Sequence, residues 1–477
     1  MPRPVPRTVQ TALRRALAAT AGGALLVALL AAVTANGPAD AESASAAVRT
    51  RGPVTPTGIV TPGDFVGFGF DQCRTPEQKK MDRWLQSSPF LAVGIYISGD
   101  SRACRDQPNL TSRWVYRQLT RGWRLLPITL GPQASCQPRF PRYGTDATII
   151  PKPGTSGRYG KARKQGNAEA AKSVAAAQDL GIAAGSTLWY DLEGFDLANT
   201  RCRASALAFL SGWTWQIHQL GYVSGVYSSA GSGIKMLDDA RANGRTDVEL
   251  PDLIWVARWD GRANTTTEAQ YLRADGWQPH ARVKQYQGGH DETYGGVTIN
   301  IDRNFLDVGT GSVAVPETHC GGVKIAYGIY PVLRPGTGET APPPAKVQVL
   351  QCLLKEQGVY TGKVNGFYTV RTQTAAQAWQ DTKGFAVSTT WNRRDWMSLL
   401  VAGDRPVLKF GSVGPAVRRV QRALNAVTDR QVPVRATGIF DGQTISALEG
   451  YQGQVGLGRT GVVGTTTWKA LSTGRRR

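Results

Sequence analysis

The chain has 477 residues, room for two or three domains, and carries 56 Lys and Arg against 35 Asp and Glu, a formal charge of +21. Such a surface attracts polyanions, but no nucleic-acid-binding motif is present, so nucleic acid is set aside as a partner. The four histidines are scattered without metal-ligand spacing, and the six cysteines form no C-x-x-C pair, so no metal and no cofactor is expected.

Residues 1–41 read as an export signal. Arg3, Arg7, Arg14 and Arg15 open it, residues 16–33 are apolar, and Ala39-Asp40-Ala41 offers a small-x-small cleavage site. The Arg14-Arg15 pair leaves both twin-arginine and general export open. No other stretch could span a bilayer, so the expected product is secreted and extracellular, without stable membrane insertion once the signal is removed. Residues 42–62 are rich in Ala, Ser, Thr, Pro and Gly and suit a flexible linker.

Strand and helix patterns then alternate. Strands are expected at 65–71, 91–97, 124–130, 186–193, 223–228, 253–259, 283–287 and 297–302. Helices are expected at 75–86, 110–122, 160–180, 204–220 and 234–243, and a weak one at 267–273. Thr75 and Pro76 supply N-cap and first-turn chemistry, and Gly181 and Gly221 supply stops. Eight rounds over about 245 residues fit an α/β fold, a (β/α)8 barrel of the TIM type.

The fourth strand organises this reading. Trp189, Asp191 and Glu193 alternate onto one side, and the strand stops at Gly194. Two carboxylates one pleat apart repel each other, which can separate them into an acid and a base. In a barrel, strand ends of one polarity share a face. Asp71 on strand one and Asp302 on strand eight join Asp191 and Glu193 there. Trp189, Trp259 and Tyr286 are candidate platforms for sugar rings, with barrel filling as the competing role of each. His290, Asp291 and Glu292 read as a solvated loop after strand seven. Cys73, Cys104, Cys136 and Cys202 each follow one of strands one to four, which favours 73 with 104 and 136 with 202. The other pairings stay open. A Cys320–Cys352 pair across the second linker is a further expectation.

Several of these segments carry a resemblance. Gly67 to Cys73, Ala92 to Ser98, Asn109 to Trp114, Gly122-Trp123, Trp189 to Glu193, Val283 to Tyr286 and Asn300 to Asn304 resemble the glycoside-hydrolase-like domain of exported actinobacterial proteins. The likeness covers about residues 63–310. That domain is similar in turn to the family 25 glycoside hydrolases, which are muramidases. The resemblance implies Glu193 as general acid and Asp191 either as stabiliser of the cationic sugar centre or as the group that orients the substrate acetamido group. It implies that Asp71 and Asp302 tune that pair and hold the sugar.

Residues 311–345 are Gly- and Pro-rich and read as a linker. An internal repeat follows. Gly366, Thr372, Gln380 and Trp396 recur as Gly438, Thr444, Gln452 and Trp468, each 72 residues on. Two small helical units are expected, at 346–402 and 407–474, each with a glycine loop presenting its backbone. The second resembles the peptidoglycan-binding domain of wall hydrolases. The first lacks the opening glycine segment and the second glycine loop, and reads as degenerate.

Together these readings predict a wall-associated glycosidase acting on peptidoglycan glycan strands, with anionic wall polymers as further partners. The competing reading is a non-catalytic glycan-binding protein using the same cleft. An amidase or peptidase finds no paired His and no Ser or Cys nucleophile constellation.

Overall fold

The computed structural model describes residues 58–138, 144–427 and 432–477. The expected export signal and most of the first linker lie outside them. Eight strands close a barrel in sequence order: β1 (Phe65–Asp71), β2 (Ala92–Ser98), β3 (Arg124–Thr129), β4 (Thr187–Leu192), β5 (Val223–Ser229), β6 (Leu253–Ala257), β7 (Ala281–Tyr294) and β8 (Val297–Val308). Helices α1 (Gln78–Ser87), α2 (Ser112–Thr120), α3 (Gly160–Asp179), α4 (Thr200–Gln219) and α5 (Lys235–Ala242) connect the first six strands. The closed barrel is the expected one. The three disulfides, Cys73–Cys104, Cys136–Cys202 and Cys320–Cys352, are also the expected pairs.

The last quarter of the barrel departs from the eight-round pattern. The segment from β6 to β7 runs through turns, and the helix expected at 267–273 does not form. Strands β7 and β8 are longer than expected and only Gly295 and Gly296 separate them. A parallel crossover needs a dozen or more residues, so β8 runs antiparallel to both β7 and β1. Both turn glycines have positive φ, 57° and 75°, the backbone of a two-residue hairpin turn matched to strand twist. The outer halves of β7 and β8 project past the barrel as a ribbon. His290, Asp291 and Glu292 belong to that ribbon, not to a solvated loop. Glu292 is buried, accepts from His290 Nε2 at 2.8 Å and from Tyr294 Oη at 2.7 Å, and pairs with Arg303.

Without a helix after β7 or β8, the outside of the β8–β1 seam needs another cover. The C-terminal region supplies it. Phe410 packs on Phe68 of β1 and Phe305 of β8, with ring centroids 5.1 and 6.1 Å away. Beside it Lys409 is 1% exposed, and its Nζ donates to the carbonyls of Ser88 (2.7 Å), Phe90 (3.1 Å) and Trp84 (3.4 Å). These carbonyls lie at the C-terminal end of α1 and just past it, where helices leave acceptors unsatisfied.

The C-terminal region holds two three-helix units around one contiguous core. The first contains α6 (Pro344–Glu356), α7 (Val370–Thr382) and α8 (Arg393–Leu400). The second contains α9 (Pro415–Val427), α10 (Gly442–Gln454) and α11 (Thr465–Ser472). The segment read as a linker contributes to this core: Ile325, Tyr330 and Leu333 are buried in it. The repeated glutamines explain the repeat physically. Gln421 Oε1 accepts from Gly438 N at 3.0 Å, while its Nε2 donates to Ile439 O and Thr444 Oγ1. Gln351 holds Gly366 and Thr372 in the same way. These loop amides are therefore not presented outward, as expected from sequence, but satisfied within the fold.

Candidate active site

The carboxyl ends of the parallel strands surround a cavity of ≈ 400 Å³, and Asp71, Asp191, Glu193 and Asp302 all line it. Strand parity places them. Asp191 is the last but one residue of β4, and Glu193 follows the strand end. Asp302 lies in the middle of β8 rather than at a strand terminus. It reaches the mouth because β8 runs antiparallel and pairs Asp302 with Asp71. Gly94 on β2 makes the space beside Asp71, because a Cβ there would lie 2.6 Å from that of Asp71.

Two side-chain amides fix Asp71. Trp255 Nε1 donates to Asn304 Oδ1 at 2.8 Å, which turns Asn304 Nδ2 toward Asp71 Oδ2 at 2.7 Å. Tyr227 Oη and Trp259 Nε1 donate to Gln285 Oε1 at 3.0 and 2.9 Å, which turns Gln285 Nε2 toward the same oxygen at 3.2 Å. Gln133 does comparable work for the fourth strand. Its Nε2 donates to the carbonyl of Asp191 and its Oε1 accepts from the backbone N–H of Glu193, both at 2.9 Å. Tyr96 Oη donates to Asp191 Oδ2 at 3.3 Å.

Burial, and then the charge of Asp302, raises the Asp71 carboxyl well above the usual carboxylate range. Burial, and then the charge of Glu193, pushes Asp302 up to about 6, against a hydrogen bond from Asp71. The facing pair thus favours holding a proton, chiefly on Asp71. Burial followed by the Asp191 charge also raises Tyr96 and Tyr227, so both phenols stay protonated donors.

The raised carboxyl has a stability consequence. An unfolded Asp titrates near 3.9, so between about pH 4 and 6 the folded chain retains a proton at Asp302 that the unfolded chain has lost. Stability falls as pH rises through that window, and the cost persists above it. Asp302→Asn should therefore stabilise the fold at pH 7.5 by about 1–2 kcal/mol, a figure discounted for partial exposure. Urea denaturation should show the gain at pH 7.5 and its disappearance near pH 4.

Three residues were expected as sugar platforms, and the fold separates them. Trp189 is fully buried below the acids and packs edge-on to Trp255, 5.5 Å between centroids. Its ring occupies the place where a side chain on Gly225 would be, so it fills the barrel and meets no substrate. Tyr286 is 4% exposed. It has the opposite strand parity to Gln285, which faces the cavity, so it too is structural. Trp259 is 63% exposed and lines the cavity. The supporting residues Asn304, Gln285, Gln133, Tyr96 and Tyr227 were not singled out from sequence. Asn304, two positions from Asp302, was open to the same parity argument. Gln133 had no such signal, because it lies in an irregular loop.

Among the described residues, one cluster has metal-ligand types, Cys320, Cys352 and Glu356. Its two cysteines are joined in a disulfide, so they offer no thiolate. No helix among the described residues is long and apolar enough to cross a membrane.

A closed barrel with carboxylates gathered at one mouth is an arrangement that glycoside hydrolysis can use. The comparisons agree: residues 82–306 match the Rv2525c-like, glycoside hydrolase-like domain, and residues 413–471 match a peptidoglycan binding domain. The chain carries both domains. The first match begins after β1 and so does not include Asp71. Solved structures similar to it include an uncharacterized B. stearothermophilus protein, 18% identical, covering 50% of this chain and 95% of that one, with a TM-score of 0.33. The Mycobacterium tuberculosis Tat-secreted protein Rv2525c, solved with L-tartrate, is 13% identical over 50% of this chain and 95% of its own, TM-score 0.33. No curated protein matches the chain.

Proposed function

We propose that this is an exported, cell-wall-associated glycoside hydrolase that cuts the glycan of peptidoglycan and is retained at the wall by its C-terminal units. The observation that carries the reading is the convergence of Asp71, Asp191, Glu193 and Asp302 on one cavity. Glu193, partly exposed at the rim, donates its proton to the glycosidic oxygen as the bond to the anomeric carbon breaks. Asp191 lies beside the developing positive charge and stabilises it. Water supplies the new hydroxyl, and its remaining proton restores Glu193. Asp71 and Asp302 share hydrogen bonds with the sugar, and Trp259 offers its face to a ring. Wall retention follows from the match of residues 413–471 to a peptidoglycan binding domain.

The test is the full chain incubated with purified wall. The expected result is protein in the wall pellet and new reducing ends in the soluble fraction. New amino termini instead would make it a peptidase. Retention without either product would make it a wall-binding protein that uses the same cleft.

A further inference from the structure

The first C-terminal unit is complete, not degenerate. It begins inside the segment read as a linker, and the bonds that shape the second unit recur in it. Trp396 Nε1 donates to the carbonyl of Pro331 at 2.8 Å, as Trp468 Nε1 does to that of Pro406 at 2.7 Å. Leu333 pairs antiparallel with Trp391, as Leu408 does with Val463. Gln380 holds a loop through Ser388 N and Thr390 O, as Gln452 does through Thr460 N and Val462 O. The opening segment and the second loop expected to be missing are both present.

The two copies differ in what covers them. In the second, the barrel occupies the opening segment. Lys409 and Phe410 dock there, and a Cβ on Gly411 would lie 2.5 Å from the carbonyl oxygen of Val66. The first loop of that unit is strapped as well. Arg418 donates to the carbonyl of Val315 at 2.6 Å, and a Cβ on Gly438 would lie 2.9 Å from that of Ala314. In the first unit Arg334, Pro335 and Gly336 take the places of Lys409, Phe410 and Gly411, and all three are exposed.

The open copy also carries an exposed aromatic ring. Phe367, in the position of Ile439, is 64% exposed, and Val370 and Val387 are exposed with it. The loops that bear them are tied together, because Tyr368 Oη donates to the carbonyl of Thr389 at 2.8 Å. Phe367 is held at its backbone on both sides. Its N–H donates to Asn365 Oδ1 at 3.1 Å, and its carbonyl accepts from Gln351 Nε2 at 3.0 Å and from Thr372 Oγ1 at 3.2 Å. The ring is thus a pre-ordered platform, which lowers the entropy lost on binding. Thr369 and Thr389 lie exposed on the same two loops. A sugar ring, apolar on its C–H face and polar at its edge, suits an aromatic face flanked by hydroxyls.

We infer that the first unit makes the wall contact, with Phe367 stacked on a sugar of the glycan strand, and that the second unit braces the barrel. This rests on the proposed wall retention for its partner and says which copy performs it. The match of residues 413–471 gives the partner class of the fold, and the first unit is the copy whose loop face is open.

Pelleting with purified wall tests it, using full-length protein that carries Glu193→Gln so that the wall is not consumed. Phe367→Ala together with Val387→Ser should weaken retention by about tenfold or more. The urea midpoint should stay unchanged, because both side chains are exposed. Phe367→Trp, which keeps an aromatic face, should retain binding. Ile439→Ala, at the same position of the second unit, should change retention by less than about twofold. Undiminished retention by the Phe367 and Val387 variant, loss of binding by Phe367→Trp, or an equal loss with Ile439→Ala would overturn the assignment and leave wall retention standing. Failure of the Glu193→Gln parent to pellet with wall would overturn the assignment and the proposed retention together.

Discussion

Glu193→Gln should lower glycan cleavage by about a thousandfold or more while leaving the fold and wall retention unchanged. General acid catalysis contributes roughly 10²–10⁴-fold, and a poor leaving group such as a sugar hydroxyl depends on it heavily. The amide is nearly isosteric, and Gln133 holds residue 193 through its backbone N–H rather than its side chain. The substitution therefore removes the proton without moving the strand. Asp191→Asn should be comparably damaging, because Asp191 is buried and, in the proposed mechanism, faces the centre where positive charge develops. Asp302→Asn should be milder, since half of its proposed role is to hold sugar and an amide still forms hydrogen bonds. The measurement is release of reducing ends from the same wall preparation, with circular dichroism and pelleting run in parallel. Equal cleavage by wild type and Glu193→Gln would remove Glu193 from the acid role.

Much of this site was legible because a barrel turns sequence parity into geometry. Asp71, Asp191 and Glu193 were placed by alternation along strands and by the rule that strand ends share a face, and no long-range contact had to be known. The expectation for Asp302 reached the right place by a wrong route. It took residue 302 for a strand terminus, whereas the strand continues to Val308 and runs the other way. The turn glycines Gly295 and Gly296 carry that information, but expected strands that end at 287 and begin again at 297 keep the hairpin out of view. Trp189 and Tyr286 show the converse limit. Aromatic type marks a residue able to stack on sugar, but only depth in the barrel and strand parity decide what it touches. Gln133 and the docking of Lys409 depend on loop paths and on contacts more than 300 residues apart in sequence, which periodicity does not encode.

Lys409→Glu should be the most destabilising single change outside the two cores, costing about 3–5 kcal/mol. Lys409 is enclosed by barrel and repeat, and its Nζ donates to the carbonyls of Trp84, Ser88 and Phe90. A carboxylate there would be buried, would find acceptors where it needs donors, and would take from the carbonyls of Ser88 and Phe90 the donor that Lys409 supplies, while that of Trp84 keeps its bonds from Ser88. The native lysine already shows the strain of its position, since burial lowers its pKa well below the ordinary value. The sign follows from linkage. Between the folded and unfolded pKa values the unfolded chain holds a proton the folded chain has released, so wild-type stability should rise with pH toward about 10.4. The variant should lose that rise. Failure of the contact would also free Phe410 from Phe68 and Phe305, the cover of the two strands that carry Asp71 and Asp302. Amide hydrogen exchange in β1 and β8 should therefore accelerate more than in β4 or β5. Lys79→Glu, an exposed change on the same helix α1, serves as control and should shift stability by less than about 0.5 kcal/mol. If Lys409→Glu unfolds at the same urea concentration as that control, the C-terminal unit does not brace the barrel, and the seam beneath Asp71 and Asp302 must hold itself.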